Sequence, residues 1–408
     1  MKNAFFYFLV FPFYGLLQAI RHYQLSWAKD MLWLFVVFYG YTMSRPEGMD
    51  SSRYVSKLER LYEAPRTWDV FVASFYTVDE RGQGSVDIYE PLVVNFVSLF
   101  TNNGNILYAF YGLVYGFFFS RNLWFVIEEI KKNNDVSKVK WILFFSFICV
   151  IGFWELNGVR MWTAAQVFFY GIFMVLYKNK KSGYLFVASS ALFHFALGLP
   201  ILLFLFLRFF TPSKKIIYLL FLLSFFVSIL NISSISTLVQ SVIPEFFMPR
   251  INNYLGEEYL QTFESTQDVA NWYVKFHKVV LNYLIAILIS VIHFSKNIQI
   301  KKDVSFYKLY SVCLLLMIFG NILSTLPSGG RFLLIAQYLT TALLTIYFVR
   351  FSDKKFKRSV LLLSPVFLFF IVISVRVSFD TISIMTLFTN PILATLFDSP
   401  VPLIDLIK

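Results

Sequence analysis

The sequence predicts an all-α, polytopic integral membrane protein with a single membrane domain over residues 1–408. Hydrophobic residues make up 58% of the chain and include 50 Phe. Apolar runs recur along it, with about the 17–25 residues that a helix needs to cross a bilayer. Short basic clusters between the runs hold most of the 36 Lys and Arg residues. Because basic residues stay cytoplasmic in short loops, these clusters predict the orientation and place the long polar segments outside.

We predict about eleven transmembrane segments plus a re-entrant helix pair. The first apolar run lacks the small-x-small cleavage site of a secretory signal, so it is predicted to remain as a first helix. The clear apolar runs cover residues 4–20, 30–44, 104–120, 141–156, 159–177, 216–231, 279–295, 308–326, 332–350 and 359–376.

The stretch 184–210 has an unusual setting, because basic clusters flank it on both sides. A single crossing would place one of these clusters outside, against the orientation rule. Gly198 and Pro200 interrupt the apolar run. We therefore predict two half-helices that enter and leave on the cytoplasmic side, with one long crossing as the alternative. Non-helical backbone at that depth requires burial in protein or a wet cavity.

Three outward segments are long enough to carry a function: residues 45–103, residues 232–278 and the tail 377–408. The first contains an amphipathic helical pattern, for which Asp50 is well placed as the N-cap. It ends in a semi-apolar piece that begins at Glu90 and that we expect at the membrane interface. The tail is apolar but broken by prolines, so it is expected to lie along the membrane on the outer side.

Two arginines at predicted outer helix ends are the first candidate site residues. Arg160 opens a helix that is otherwise apolar, and a charge at the membrane boundary is costly unless it pairs or faces water. A structural pair with Glu155 is the alternative. Arg331 follows two glycines in the short connection PSGGR, where backbone and ligand could approach closely. An ordinary turn with one basic residue is the alternative there.

His194 lies inside the interrupted stretch, where it could act as an acid, a base or a phosphate ligand. A satisfied core histidine is the alternative. Asp50 and Glu90 flank the first outward segment, and either could accept a proton from an attacking hydroxyl. Arg250, in the second outward segment, is a further candidate.

Several classes of function are excluded by missing patterns. The sequence contains no P-loop, no GxGxxG, no GxSxG, and no HExxH or CxxC metal pattern. We therefore expect no metal and no cofactor, and catalysis by positioning and charge stabilisation. The net charge of +12 follows the membrane orientation, so nucleic acid is not expected as a partner. The two cysteines lie in apolar spans, which argues against a disulfide framework.

Several segments together match one known pattern. They are RPEGMDSSRYVSKLE, EPLVVNFVSLFTNNGNILYAFYGLV, NGVRMWTAAQVFFYGIFMVLY, ASSALFHFALGLPILL and GGRFLLIAQYL, in this order. The sequence resembles the EpsG/Wzy-type family of bacterial polysaccharide polymerases, over most of residues 45–350. The tail and the 232–278 segment show no match.

The resemblance implies an all-helical, GT-C-like glycosyltransferase of the bacterial inner (cytoplasmic) membrane, with its active site facing the periplasm. It would join oligosaccharide repeat units carried on undecaprenyl diphosphate into O-antigen or capsular or exopolysaccharide. Its partners would be these lipid-linked glycans, membrane lipid and a chain-length regulator protein. By position, Arg160, Arg331 and His194 would be functional residues of the pocket, with Asp50 and Glu90 near it. Arginine suits a diphosphate because its charge is permanent and its N–H groups bind phosphate oxygens in pairs.

Three other functions stay open on the sequence. An O-antigen ligase-type glycosyltransferase would use the same donor with a different acceptor. A flippase for lipid-linked oligosaccharides would show internal repeats and polar residues at mid-membrane, and the sequence shows no repeat. A structural scaffold would not need boundary arginines.

Overall fold

The fold was obtained as a computed structural model. It describes residues 2–46, 48–76, 87–132, 137–210, 212–227, 271–295, 303–326, 328–396 and 400–407. Most of the predicted second outward segment, including Arg250, lies outside the described residues. Within the described ranges the chain is helical, with one isolated β-bridge between Ser383 and Pro402. This confirms the prediction of an all-α fold.

Eighteen α-helices are described, and three short 3-10 helices (Phe153–Gly158, Phe195–Leu197 and Leu403–Leu406) accompany them. The α-helices are α1 Lys2–Val10, α2 Pro12–Arg21, α3 Trp27–Thr42, α4 Asp50–Glu63, α5 Trp68–Tyr76, α6 Tyr89–Ser98, α7 Gly104–Lys131, α8 Val139–Val150, α9 Val159–Leu176, α10 Gly183–Phe193, α11 Gly198–Phe209, α12 Lys214–Ser224, α13 Trp272–His293, α14 Val304–Leu323, α15 Gly330–Phe351, α16 Lys354–Ser378, α17 Ile384–Phe388 and α18 Pro391–Ala394.

The helices fall into two compact units. The first comprises Met1–Lys132, Gly152–Gly198 and Val375–Lys408, and the second comprises Asn133–Ile151 and Leu199–Ser374. A single membrane domain over residues 1–408 stays a prediction.

Five stretches of the described chain are long and apolar enough to cross a membrane: Val139–Leu176, Trp272–His293, Val304–Leu323, Gly330–Phe351 and Lys354–Ser378. The chain is therefore a membrane protein with several apolar helices. The first stretch contains both α8 and α9, joined by the 3-10 helix at the predicted outward turn. The total of eleven segments and their sides of the membrane stay predictions.

The first predicted span, residues 4–20, is not one helix. It is divided into α1 and α2 at Phe11, whose backbone is extended (φ −155°). Pro12 explains the division, because proline lacks an N–H and disfavours helical backbone in the residue before it.

The core of the first unit is the close pair α3 and α7. A Cβ on Gly112 would lie 2.7 Å from the carbonyl oxygen of Val36, and a Cβ on Gly40 would overlap the carbonyl group of Tyr108. The missing side chains let the two backbones approach. As a result, the end of α3 and the tyrosine-rich start of α7 lie side by side.

The stretch 184–210 is interrupted at His194, four residues before Gly198. His194 is extended (φ −155°, ψ 118°) and stands between α10 and the 3-10 helix that precedes α11. The apolar pattern predicts the interruption at Gly198 and Pro200, but both residues lie in the first turn of α11. Proline is tolerated there because the first turn does not need its N–H. Whether the two helices enter and leave on the same side stays a prediction.

The C-terminal tail is fixed to the end of α3 by buried hydroxyl groups. The Ser44 N–H donates to the carbonyl oxygen of Thr381 at 2.9 Å. The Thr42 hydroxyl lies 2.9 Å from that of Thr386, and the Tyr39 hydroxyl donates to that of Thr381 at 3.0 Å. The tail therefore supports the point at which α3 leads into the first outward segment.

In the second unit, α14 packs closely against α15, and nearly all of α15 is buried. Gly320 permits the close approach, because a Cβ there would lie 2.9 Å from the Cα of Leu333.

Candidate active site

Asp87 is the centre of a buried polar cluster in the first unit. Its carboxylate is fully buried, and donors from separate parts of the chain contact it. Nδ1 of His194 lies 2.8 Å from Oδ2, Nη1 of Arg160 lies 3.0 Å from the same oxygen, and the Phe195 N–H donates to Oδ1 at 2.9 Å. The structure therefore brings together two of the predicted site residues through an aspartate that the sequence analysis did not single out.

Local structure explains why these side chains meet. Asp87 lies just before α6, and the next residue, Ile88, donates its N–H to the carbonyl oxygen of Leu192 in α10 at 3.0 Å. The extended backbone at His194 ends α10, which leaves the Phe195 N–H outside regular helix and available to Asp87. The interruption of the helix therefore provides both a side-chain and a backbone donor.

The charges in the cluster favour the ionised carboxylate. Burial alone would raise the pKa of Asp87, but the hydrogen bond and charge of His194, the charge of Arg160 and the Phe195 N–H together hold it below its ordinary value. An ionised carboxylate only accepts hydrogen bonds, so Nδ1 of His194 carries the proton that lies between them. In the neutral ring Nε2 is then an acceptor, and it makes no hydrogen bond with the described residues.

Arg160 is held on one side and open on the other. Its Nε donates to the Tyr54 hydroxyl at 3.0 Å, and its Nη1 donates to Asp87. One N–H of Nη1 and both of Nη2 have no partner among the described residues, and 31% of the side chain is exposed. The ion pair is with Asp87 and not with Glu155, the structural partner considered from the sequence. Arg160 thus presents a fixed charge with unused donors.

Glu90 is buried beside this cluster and pairs with a lysine of α4. It is 2% exposed, and Nζ of Lys57 lies 3.1 Å from both of its carboxylate oxygens. The pair connects α4 with α6. Tyr54 lies on α4, and Asp87 lies just before α6. Glu90 is therefore a paired carboxylate on one of the two helices that position the Asp87 cluster.

Tyr54, the hydrogen-bond partner of Arg160, belongs to a group of four neighbouring tyrosine rings. The ring of Tyr111 lies 6.3 Å from that of Tyr54, 5.9 Å from that of Tyr89 and 5.4 Å from that of Tyr108, measured between centroids. All four tyrosines are buried.

The remaining predicted residues lie elsewhere or are not described. Asp50 is the first residue of α4, whose N-cap is Met49, so the predicted N-cap role is wrong. Its carboxylate pairs instead with Arg53, one turn later. Arg331 is the second residue of α15 in the second unit, where it is exposed and its side chain makes no hydrogen bond or ion pair with described residues. A shared site of Arg160 and Arg331 stays a prediction.

The family model described as EpsG family matches residues 36–389. This range covers most of the chain and contains every residue of the Asp87 cluster. The chain belongs to the EpsG family. The resemblance that the short motifs indicated is therefore confirmed. Searches of the curated proteins and of the solved structures gave no significant match. The EpsG match begins within α3 and ends one residue after α17, so it also includes the part of the tail that contacts α3.

Proposed function

We propose that this EpsG protein is a polysaccharide polymerase that joins lipid-linked oligosaccharide repeat units. The donor is the growing chain on undecaprenyl diphosphate, and the acceptor is a hydroxyl of a new lipid-linked unit. In the reaction, the bond from the anomeric carbon to the diphosphate breaks and a bond to the acceptor oxygen forms. The diphosphate leaves with the bonding electrons, and the hydroxyl proton passes to a base. The Asp87 cluster, with one open arginine and one oriented histidine, is the observation that carries this proposal.

Arg160 is assigned to the diphosphate of the donor. Negative charge grows on the leaving group as the glycosidic bond breaks, and fixed cations aimed at that charge lower the barrier. Arg160 meets this need because Tyr54 and Asp87 fix its orientation while three N–H donors stay unused by the described residues. Arg331 and Arg250 are proposed as further ligands of the diphosphate, on the basis of the sequence.

His194 is assigned the role of the base that takes the acceptor proton. The hydrogen bond to Asp87 places the ring proton on Nδ1 and leaves Nε2 as the acceptor. Asp87 also stabilises the imidazolium that forms, so it acts as a positioning residue. Glu90 is the second candidate for the base, but its pairing with Lys57 favours a supporting role.

The reaction is proposed to occur at the periplasmic face of the inner membrane, without a metal or cofactor. The basic clusters of the short loops support this orientation, and a chain-length regulator is the expected protein partner. An O-antigen ligase or a flippase for lipid-linked units stays the alternative.

The polysaccharide profile of a deletion strain tests the proposal. Loss of a polymerase leaves a product that carries a single repeat unit. Reintroducing the intact gene should restore the long chains. Unattached long chains in the deletion strain would indicate a ligase. Lipid-linked units trapped in the cytoplasmic leaflet would indicate a flippase. Purified protein supplied with lipid-linked repeat units should form a ladder of longer products without any other enzyme.

A further inference from the structure

Arg45 is a second arginine of the first unit with unused binding capacity. It lies three residues after the end of α3, and its side chain is half-buried. Its Nη2 donates to Oδ1 of Asn105, and its guanidinium lies over the ring of Tyr108, 5.6 Å from the centroid. Nη1 is buried and has no hydrogen-bond partner, and no carboxylate of the described residues pairs with Arg45. A cation removed from water without a counter-ion is costly unless a ligand supplies the negative charge.

Buried polar atoms on the Tyr108 side of Arg45 also have few or no partners. The hydroxyl of Tyr111, whose ring lies 5.4 Å from that of Tyr108, is buried and has no hydrogen-bond partner within the described chain. The hydroxyls of Tyr108 and Ser51 are buried next to each other, and neither has a further hydrogen-bond partner within the described chain. Buried polar atoms are almost always paired in folded proteins, so a group of unpaired ones points to a missing ligand or ordered water.

A continuous row of contacts links Arg45 to Arg160. The guanidinium of Arg45 lies over Tyr108, the rings of Tyr108 and Tyr111 are 5.4 Å apart, and those of Tyr111 and Tyr54 are 6.3 Å apart. The Tyr54 hydroxyl then accepts from Nε of Arg160 at 3.0 Å. The two arginines are therefore the ends of one row of buried tyrosines.

The position of Arg45 suits a lipid head group. α3 corresponds to a predicted transmembrane segment that ends on the outer side, and Arg45 follows that end directly. Its orientation is fixed by Asn105 and Tyr108, and part of the side chain remains exposed. A fixed guanidinium is well matched to phosphate oxygens, which it can bind in pairs.

We propose that Arg45 binds a phosphate of the second lipid-linked substrate, the acceptor unit. This proposal rests on the proposed polymerase function, because polymerisation brings two lipid diphosphates to one protein. One diphosphate leaves at Arg160, and the other stays attached to the acceptor and needs its own site. The row of tyrosines lies between the two cations, and Nη1 of Arg45 with the Tyr108 hydroxyl supplies donors for the retained phosphate.

Binding stoichiometry tests the proposal directly. The full-length protein in lipid nanodiscs should bind two equivalents of farnesyl diphosphate, measured by native mass spectrometry and calorimetry. Arg45→Gln should weaken one of the two sites by about tenfold or more, and Arg160→Gln should weaken the other. Arg45→Lys should bind with intermediate affinity. Arg53→Gln, a matched surface arginine that pairs with Asp50, should still bind two equivalents. Two sites that are both unchanged in Arg45→Gln would overturn the proposal, as would a single site that Arg45→Gln leaves intact.

Competition identifies the chemistry of the ligand. Inorganic diphosphate should displace farnesyl diphosphate from the site that depends on Arg45, and glucuronate should not. Displacement by glucuronate alone would assign Arg45 to an acidic sugar and overturn the assignment to the lipid diphosphate. A melting temperature of Arg45→Gln equal to that of the unsubstituted protein would show that the loss of binding is local. If Arg45→Gln does not fold, the comparison between Arg45→Lys and the unsubstituted protein decides, and equal affinities would then overturn the proposal.

Kinetics separates this proposal from the polymerase function. With lipid-linked repeat units, Arg45→Gln should raise the KM for the acceptor by about tenfold and change the rate with saturating acceptor much less. If the unsubstituted protein forms no polymer but shows the two binding sites, the polymerase function is wrong and the Arg45 site stands. If polymer forms and both affinity and KM are unchanged in Arg45→Gln, the function stands and the Arg45 site is wrong.

Discussion

Oδ2 of Asp87 lies 2.8 Å from Nδ1 of His194, although 107 residues separate the two along the chain. The contact fixes the histidine ring at the point where α10 ends, and it determines which ring nitrogen carries the proton. Arg160 shares the same carboxylate oxygen. Loss of the aspartate would therefore disturb a cation and a base at once.

Asp87→Asn should reduce polymerisation by about 10- to 100-fold per amount of folded protein. The substitution removes the charge that stabilises the imidazolium and weakens a charge-assisted hydrogen bond, which contributes about 1.5–3 kcal/mol. The measurement is the rate of ladder formation from lipid-linked repeat units over a range of pH. If Asp87 positions His194, the substitution should change the pH dependence of the rate as well as lower the rate itself.

The matched control is Asp50→Asn, which removes a carboxylate that pairs with Arg53 on the surface of α4. It should polymerise at nearly the normal rate. Normal rate and normal pH dependence in Asp87→Asn would refute the role of the Asp87–His194 pair.

The stability of the protein should depend on pH through Asp87. Its pKa in the folded protein is below the ordinary value of 3.8, so the folded state favours the ionised form. The stabilisation is fully present above about pH 4 and is lost as the pH falls through the lower pKa of the folded state. At pH 7, Asp87→Asn should therefore be less stable than the unsubstituted protein, by about 3 kcal/mol, because it breaks a buried pair.

Thermal unfolding in detergent from pH 7 down to about pH 3 measures this difference. The difference in stability between the two proteins should narrow at the acidic end, because Asp87 of the unfolded chain binds a proton there more readily than Asp87 of the folded protein. Other carboxylates affect both proteins equally. A gap that is constant over the whole range would argue against an ionised Asp87.

Lys57 and Glu90 should show strong energetic coupling. Removal of the lysine leaves a carboxylate that is 2% exposed without its counter-ion, which costs about 3–5 kcal/mol for a buried pair. Lys57→Met should therefore destabilise the protein more than the double substitution Lys57→Met/Glu90→Gln. A double-mutant cycle measured by chemical unfolding gives the coupling energy. Glu59→Gln, on the exposed side of α4, is the control and should change stability by less than about 0.5 kcal/mol. Additive effects of the two substitutions would exclude a coupled pair.

Two adjacent glycines before Arg331 should respond differently to alanine. A Cβ on Gly329 would overlap the carbonyl group of Leu323, so Gly329→Ala forces the end of α14 away from the start of α15. Overpacking of this kind costs about 1–3 kcal/mol or more. A Cβ on Gly330 meets no atom within 4 Å, so Gly330→Ala should be tolerated. Melting temperatures compare the two variants, and equal values would contradict the close approach at Gly329.

The sequence predicted those site residues whose placement is energetically unfavourable in an apolar segment. A charge at an apolar helix boundary identified Arg160, and an interrupted apolar run identified His194. Asp87 was missed because its partners lie 73 and 107 residues away and an acid in a polar segment carries no local signal. Its position, three residues before Glu90 and just before the helix that is predicted at the membrane interface, was the available hint.

Local geometry explains the other differences between sequence and structure. The division at Phe11 follows from Pro12 and could have been predicted. The interruption at His194 could not, because proline and glycine are compatible with the first turn of a helix and the extended backbone is held by contacts with Asp87. The start of α4 differs from the predicted start by one residue, which is enough to move Asp50 from the cap into the first turn.

Polymerisation should depend on the geometry of the Arg160 guanidinium and not only on its positive charge. Arg160→Lys keeps the positive charge but loses the planar set of donors that reaches Tyr54, Asp87 and a phosphate together. It should impair polymerisation substantially, and Arg160→Ala should abolish it, with normal amounts of protein in the membrane. Loss of a charge-assisted contact costs about 1.5–3 kcal/mol, or roughly 10- to more than 100-fold in rate if the contact is made chiefly in the transition state.

Arg53→Ala and Arg66→Ala, at exposed positions of the first outward segment, should retain long chains. Long-chain polysaccharide at normal expression in Arg160→Ala would show that Arg160 does not hold the leaving diphosphate.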